Sequence, residues 1–347
     1  MAPSSNGGAI VRRALGASIF VAAFLAATGL RAETIRYIPR HEELVYTFAA
    51  HAPKRTLARG DTLVTWTEDC FDGLVRTARD LPGKVVPPGH DNPQTGPFFI
   101  TGAEPGDTLV VDLVTLEPAR DYAISSASPF FGALTTTSTT AMLHDPLAEI
   151  VWVYAVDRKE GTVRFTPRGR GAPVAIPIRP FLGCLATAPA HGEARTTLVP
   201  DTFGGNMDTP EIREGNRVYL PVSERGALLM LGDGHLAQGG GEIIGAAVES
   251  ALNVTLRVDV IKKQAIAWPR VENDDDLMVV GSAKPLEDAL RVAFKDLVDW
   301  VAERASLDRM DAYQLVSQVA EASVSQAVDP SYTVVAKFPK KFLPKTP

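Results

Sequence analysis

Asn206, Asp208, Asp233, His235, Gln238 and Glu242 fall within one stretch, Phe203 to Glu249, in two glycine-rich turns on either side of an apolar hairpin. Glycine lets backbone approach closely or adopt positive φ, so turns of this kind can aim several polar side chains at one point. Carboxylates and an imidazole converging there suit a hard or borderline divalent cation. In an extended segment alternate residues share a face, so Asp233 and His235 can bind one ion together. Glu242 can act as a further ligand, or as a general base on water that a cation has acidified. A plainer account uses the same residues: Asp208 and Asp233 make Asx turns, and Glu242 caps the next element. Spacing alone leaves both open.

Two other groups carry polar chemistry. Thr67-Glu68-Asp69-Cys70-Phe71-Asp72 stands at the end of an apolar strand, where Asp69 is either functional or a solvated turn residue. Gly89-His90-Asp91-Asn92-Pro93-Gln94-Thr95-Gly96-Pro97 is a shaped loop by its Asn-Pro and Gly-Pro steps, with His90 expected at the surface. Cys70 and Cys184 are the only cysteines. They lie too far apart in sequence to show that they meet, and neither has the neighbours that would activate a nucleophilic thiol.

The elements that must position these residues are mostly strands. LVYTF, DTLVTWTEDC, GPFFITG and DTLVVDLVTLEP are each bounded by Gly, Pro or Asp. IVWVYAVDR and VRFTPRG, joined near Gly161-Thr162, form a hairpin, and the Pro-flanked Val174–Ile178 segment is an edge strand or irregular. Val254 to Val260 alternates with period two. Beyond Gly281 the period changes: Leu286, Leu290, Ala293, Phe294, Leu297 and Val301 fall at helical spacing, with Glu287 and Asp288 in the first turn. Ser306 is placed to cap a second helix carrying Met310, Tyr313, Val316 and Val319. The expected fold is mainly β (α+β), a β-sandwich-like core of short strands with a C-terminal helical pair.

The 347 residues suffice for a large core, and a net charge of −6 without long basic runs excludes a nucleic-acid partner. Residues 1–32 resemble a secretory leader: Arg12-Arg13, then an uncharged apolar run, then small residues near Ala32. No later stretch is apolar enough to span a bilayer, so residues 33–347 are expected as one exported domain, periplasmic or secreted, without stable membrane insertion. Homo-oligomers are the default expectation on frequency alone.

Taken in order, several motifs resemble the acetamidase/formamidase family across nearly the whole chain after the leader. They are WTEDC at Trp66–Cys70, NPQTGPFFITGAEPGDTL at Asn92–Leu109, APAHGE at Ala188–Glu193 and GGNMD at Gly204–Asp208. VYLPV at Val218–Val222, GDGHLAQGGGE at Gly232–Glu242 and PRVE at Pro269–Glu272 continue the series. The resemblance implies a metal-dependent amidohydrolase of short aliphatic amides such as formamide or acetamide, and not an amidase of the nitrilase type. Carried over residue by residue, it implies Asp69, Asp208, His235 and Glu242 as metal ligands, with zinc as the first metal to test and calcium as the alternative. It places Glu242, His235 and Asp233 in catalysis and Asn206 and Gln238 at the substrate.

The family pattern after the histidine reads Gln-Gly-Asp-Gly-Glu, whereas Gly240 stands here in place of the acid. That departure leaves two further readings: a hydrolase of another small amide or ester, and a non-catalytic metal-stabilised binding protein.

Overall fold

The computed structural model describes residues 32–134 and 147–344, which belong to one unit beginning at Ala32. The leader read in the sequence lies almost wholly outside them. No helix among the described residues is long and apolar enough to cross a membrane.

Strands dominate because short apolar-alternating runs are cut by Gly, Pro and Asp. Leu252–Ile261 buries every second residue, and Thr62–Thr67 does the same. These two pair antiparallel, and Leu252–Ile261 also pairs with Thr108–Pro118. They belong to a nine-stranded sheet that runs through Arg217–Pro221, Arg270–Glu272 and Asp276–Ala283 to a C-terminal hairpin, Glu321–Gln326 with Tyr332–Pro339. A second, ten-stranded sheet contains Leu229–Ala237, which is almost wholly buried and reads apolar-then-glycine rather than alternating. Antiparallel Phe181–Ala186 flanks it on one side, while Val248–Glu249 and Gln94–Ile100 pair with its two ends on the other. Ile150–Asp157 and Thr162–Phe165 form the expected hairpin, and Val174–Pro177 is the edge strand beside it.

The two sheets share a core. Leu63, Leu109, Val111 and Leu256 from the first meet Phe98, Leu182, Leu185 and Leu231 from the second. This is the sandwich the pattern implies, built from open mixed sheets.

The helix pair covers one end of the first sheet. Leu286–Ala305 buries Ala293, Leu297 and Val301 against Leu277, Val279 and Phe338. Ser306 does not cap the second helix; it ends the first in a left-handed conformation (φ 52°). Asp308 caps Arg309–Val319 instead, its carboxylate accepting from the Met310 amide at 2.8 Å. The inward face of the second helix is met only in part: Val316 is buried with Ala312 and Val319 packs beside them, while Met310 and Tyr313 are exposed. Arg270 and Asp296 join sheet to helix through a buried two-pronged pair, both contacts 2.9 Å.

Gly281 sets how closely the first helix lies on the sheet. A Cβ there would stand 2.7 Å from both the Ala289 carbonyl oxygen and the Ala293 amide nitrogen. Since the clash is with backbone, Gly281→Ala must push the helix outward, and we expect a loss of about 1–3 kcal/mol in denaturant unfolding. An unchanged midpoint would show that the helix is not seated on the sheet in this way.

Candidate active site

Three acids of the site occupy backbone that L-residues rarely adopt: φ is 45° at Asp208, 57° at Asp233 and 47° at Glu242. Such positions cost about 1–3 kcal/mol each and persist where surrounding structure enforces them. Here Gly183 shows how. It lies opposite Asp233 in the antiparallel pairing, and a Cβ on it would collide with the carboxylates of both Asp233 and Asp208. The missing side chain lets two acids from separate segments lie side by side.

The centre of the site is His235, which is 1% exposed. Its Nε2 stands 3.2 Å from Asp233 Oδ1, 3.2 Å from Glu249 Oε2 and 3.9 Å from Asp208 Oδ1. Its Nδ1 lies 2.9 Å from Gln238 Oε1. The Gln238 amide nitrogen donates to the Asp208 and Ser325 carbonyls at 2.8 and 3.0 Å. Its oxygen is therefore the acceptor, Nδ1 carries the proton, and Nε2 is turned toward the carboxylates. Gln238 thus stands behind the ring, bonded to it and to main chain. Expected at the substrate, it is instead committed to the ring and to main chain.

Asp208, His235 and Glu242 bring their ligand atoms within 4.8 Å of one another, and Cys70, Asp233 and Glu249 do the same beside them. Both Asp208 oxygens, Asp233 Oδ1 and Glu249 Oε2 are buried without a hydrogen-bond donor. Buried carboxylate oxygens left bare are costly unless a cation or proton meets them. These side chains, with Asn206, Asn92 and Asp329, line a cavity of about 490 Å³ that has no Lys or Arg on its walls among the described residues. Burial accordingly pushes the acids up. Asp208 is raised well above the usual range by burial and then by the charges of Glu242 and Asp329. Glu242 is likewise raised by burial, against the pull of His235. Glu249 and Asp329 are each pushed up to about 7, by burial first. Burial works against charge on His235, but Glu249 and Asp233 outweigh it and raise the imidazole. A divalent cation fits this donor set of carboxylates and imidazole, taking at Nε2 the place of the proton that the neighbouring acids favour there.

Asp69 is not among these residues. Its Oδ1 accepts from the Phe71 and Gly73 amides at 3.0 and 3.1 Å, and Arg120 donates to Oδ2 at 2.6 Å. With Arg120 also pairing to Glu68, the carboxylate is saturated by protein and braces the turn that carries Cys70. Expected as a ligand, Asp69 instead has both its oxygens met by protein donors and stands outside the two ligand groups of the described residues. Asn206 lines the cavity, but its polar atoms are committed. Its amide donates to Asp329 Oδ2 at 2.8 Å, and its oxygen accepts from Asn92 at 2.8 Å and from the Cys184 thiol at 2.9 Å. Both cysteines are free, and burial raises both thiols well above their usual value. His90 sits partly exposed beside Tyr46, 3.2 Å from Asp72. Gly240 is exposed, and a Cβ there would meet only the Val324 carbonyl oxygen at 3.6 Å. The buried acid of that loop is Glu242, and it is retained.

Glu249, Asp329 and Asn92 complete the site without having been singled out in the sequence. Glu249 pairs across the sheet with His235, a register that only strand order reveals. Asp329 comes from the turn after Glu321–Gln326, where Gln326 accepts from its amide at 3.1 Å; its Asp-Pro step signals only a turn. Asn92 reaches the site through a left-handed residue in the Gly89–Pro97 loop (φ 47°).

The sequence model of the acetamidase/formamidase family matches residues 188–343. The acetamidase of Yersinia enterocolitica has a solved structure that superposes with TM-score 0.85 at 37% identity, covering 92% of this chain and 96% of that one. The acetamidase of Bacillus halodurans superposes with TM-score 0.78 at 31% identity, over 89% and 98% of the two chains. The formamidase of Methylophilus methylotrophus is 28% identical over 210 residues, 48% of this chain and 51% of that protein. The chain thus spans about half the length of the curated relatives it matches first. Shared architecture over almost the full length, at this identity, places the chain in the acetamidase/formamidase family of amide hydrolases.

Proposed function

We propose that the protein hydrolyses the C–N bond of small linear amides with the help of one divalent cation, zinc being the first to test and calcium the second. The observation that carries this reading is the set of buried, donorless carboxylate oxygens around His235 Nε2 in a cavity that no described Lys or Arg lines. Asp208, His235 and Glu242 would hold the cation. When bound, it would supply a Lewis acid that polarises a carbonyl and acidifies water. Gln238 keeps Nδ1 protonated and Nε2 free to bind. Asn92 and Cys184, both directed at Asp233 Oδ2, hold that carboxylate in place. Glu249, with Oε1 fixed by the Ala247 amide at 2.7 Å and Oε2 bare, takes the proton of the attacking water. It then returns that proton to the departing nitrogen. A C–O bond forms, the C–N bond breaks, and the products are a carboxylic acid and ammonia.

This reading expects ammonia release from a linear amide that a chelator abolishes and added zinc or calcium restores. Glu249→Gln keeps the cation and lowers kcat by about 10²–10⁴-fold, whereas Glu242→Gln loses the cation itself in metal analysis. Full turnover in Glu249→Gln would remove it from the proton-transfer role. Cation-free protein that still releases ammonia would overturn the proposal.

The acids also set a pH dependence. In chelated protein Glu249 and Asp329 keep their protons up to about 7 when folded, but release them near 4 when unfolded, at roughly 3.9–4.3. Over that window the folded state binds more protons, so stability falls as pH rises. Thermal unfolding of the chelated protein should drop by several degrees between these limits and recover on adding the cation. A flat or rising profile would contradict the burial of these acids.

We further propose export, from the leader-like residues 1–32. Mass measurement of the protein made in a bacterial host should place its first residue at Glu33; retention of residues 1–32 on a soluble cytoplasmic product would refute this.

A further inference from the structure

The cavity is far larger than the amides at the head of the family's name require. Acetamide has four non-hydrogen atoms, and at about 30 Å³ for each, the share of a liquid water, it fills about 120 Å³. The cavity holds about 490 Å³, within the range of sites that enclose larger organic ligands. Its lining also divides in chemistry. The buried acids Asp208, Asp233, Glu242 and Glu249 and His235 form one part of the lining, while Phe71, Val86, Pro129, Phe131, Leu198 and Ala246, four of them half-buried, supply its apolar part. This apolar wall is braced: Phe71 and Ala246 belong to a buried cluster with Val75, Ile124 and Val151, against which Val86 packs. The Gly83 amide donates to Glu149 at 2.6 Å, tying the short helix Pro82–Val85 to the residue that precedes the strand Ile150–Asp157. An amide group placed at the carboxylates directs its acyl chain along this wall. Among the described residues the lining offers no Lys or Arg to a negatively charged substituent, and Asp91 and Glu149 add acidic groups to it.

We infer that the preferred substrates are neutral amides with an extended apolar acyl group, of about five or six carbons or an aryl ring, rather than formamide or acetamide. The inference rests on the amidase reading above and specifies its substrate class. Burying each added methylene on the wall is worth about 0.8 kcal/mol, or about four-fold. Acetamide leaves the wall unused, whereas hexanamide covers it. A carboxylate on the acyl chain is repelled by the acidic lining.

The test is kcat/KM for the straight-chain series from acetamide to hexanamide, for benzamide, and for glutaramate as a charged analogue of the longer amides. Values should rise about four-fold per methylene, with glutaramate about a hundred-fold or more below hexanamide. In Leu198→Ala, and independently in Val86→Ala, the ratio of hexanamide to acetamide should fall about ten-fold. A flat or falling series with ammonia still released from acetamide overturns this inference and leaves the amidase reading intact. A rising series with the ratio unchanged in both variants overturns the placement of the acyl group on this wall. No ammonia from any amide overturns the amidase reading and this inference with it.

Discussion

Five carboxylates, Asp208, Asp233, Glu242, Glu249 and Asp329, are buried around one imidazole in a cavity that, among the described residues, no Lys or Arg lines. Charges of one sign cannot be packed this densely in a low-dielectric interior without protons or a cation to meet them. That constraint organises the rest of the site. It accounts for the upward push on the acids, for the bare oxygens beside His235, and for the need to fix the ring's tautomer from behind through Gln238. A mobile imidazole could turn its proton toward the carboxylates and satisfy them alone. One held by an acceptor at Nδ1 leaves Nε2 for an ion.

Holding such a cluster takes scaffolding from every neighbouring element. Left-handed backbone at Asp208, Asp233 and Glu242 stores strain that the sheet pairing of Leu229–Ala237 and the close pass of Gly183 enforce. Asn206 is the hub of the polar layer beneath: it donates to Asp329 and accepts from Asn92 and Cys184. Arg120 neutralises Glu68 and Asp69 at the turn before the cavity. A buried pair of this kind is weak evidence of net stability but strong evidence of placement, since losing either partner leaves a charge uncompensated. Its effect here is to keep Asp69 out of the carboxylate cluster and Cys70 at its edge.

The carboxylates and the apolar wall divide the work of the cavity. On the proposed reading the chemistry belongs to the buried carboxylates, where electrostatic interactions are strong. The wall can contribute binding but no reaction. Under the proposal, selectivity among amides would rest on residues such as Leu198 and Val86, which stand on connecting segments. The acids sit on or beside the strands of the rigid sheet. Loops tolerate change better than the sheet that holds the acids, so the two properties can vary separately.

Much was legible from the chain alone. The alternation in Leu252–Ile261, the hairpin at Gly161 and the helical period after Leu286 follow from local rules, because burial of one face imposes a period of two on a strand and 3.6 on a helix. The convergence of Asp208, Asp233, His235 and Glu242 was anticipated by their glycine-rich turns, and the order of motifs already resembled the family to which the chain belongs. Local rules failed where partners are distant. Asp69 looked like its fellow acids until Arg120, 51 residues away, was found to occupy it. Glu249 and Asp329 carry no signal of their own and join the site only through sheet register and a C-terminal turn. Gln238 passed for a substrate contact until both its donors were traced to main chain. Residue types and spacing determined which chemistry the chain could perform. Only tertiary packing decided which carboxylates are already satisfied by the protein and which remain bare, because that depends on donors brought together from far along the chain.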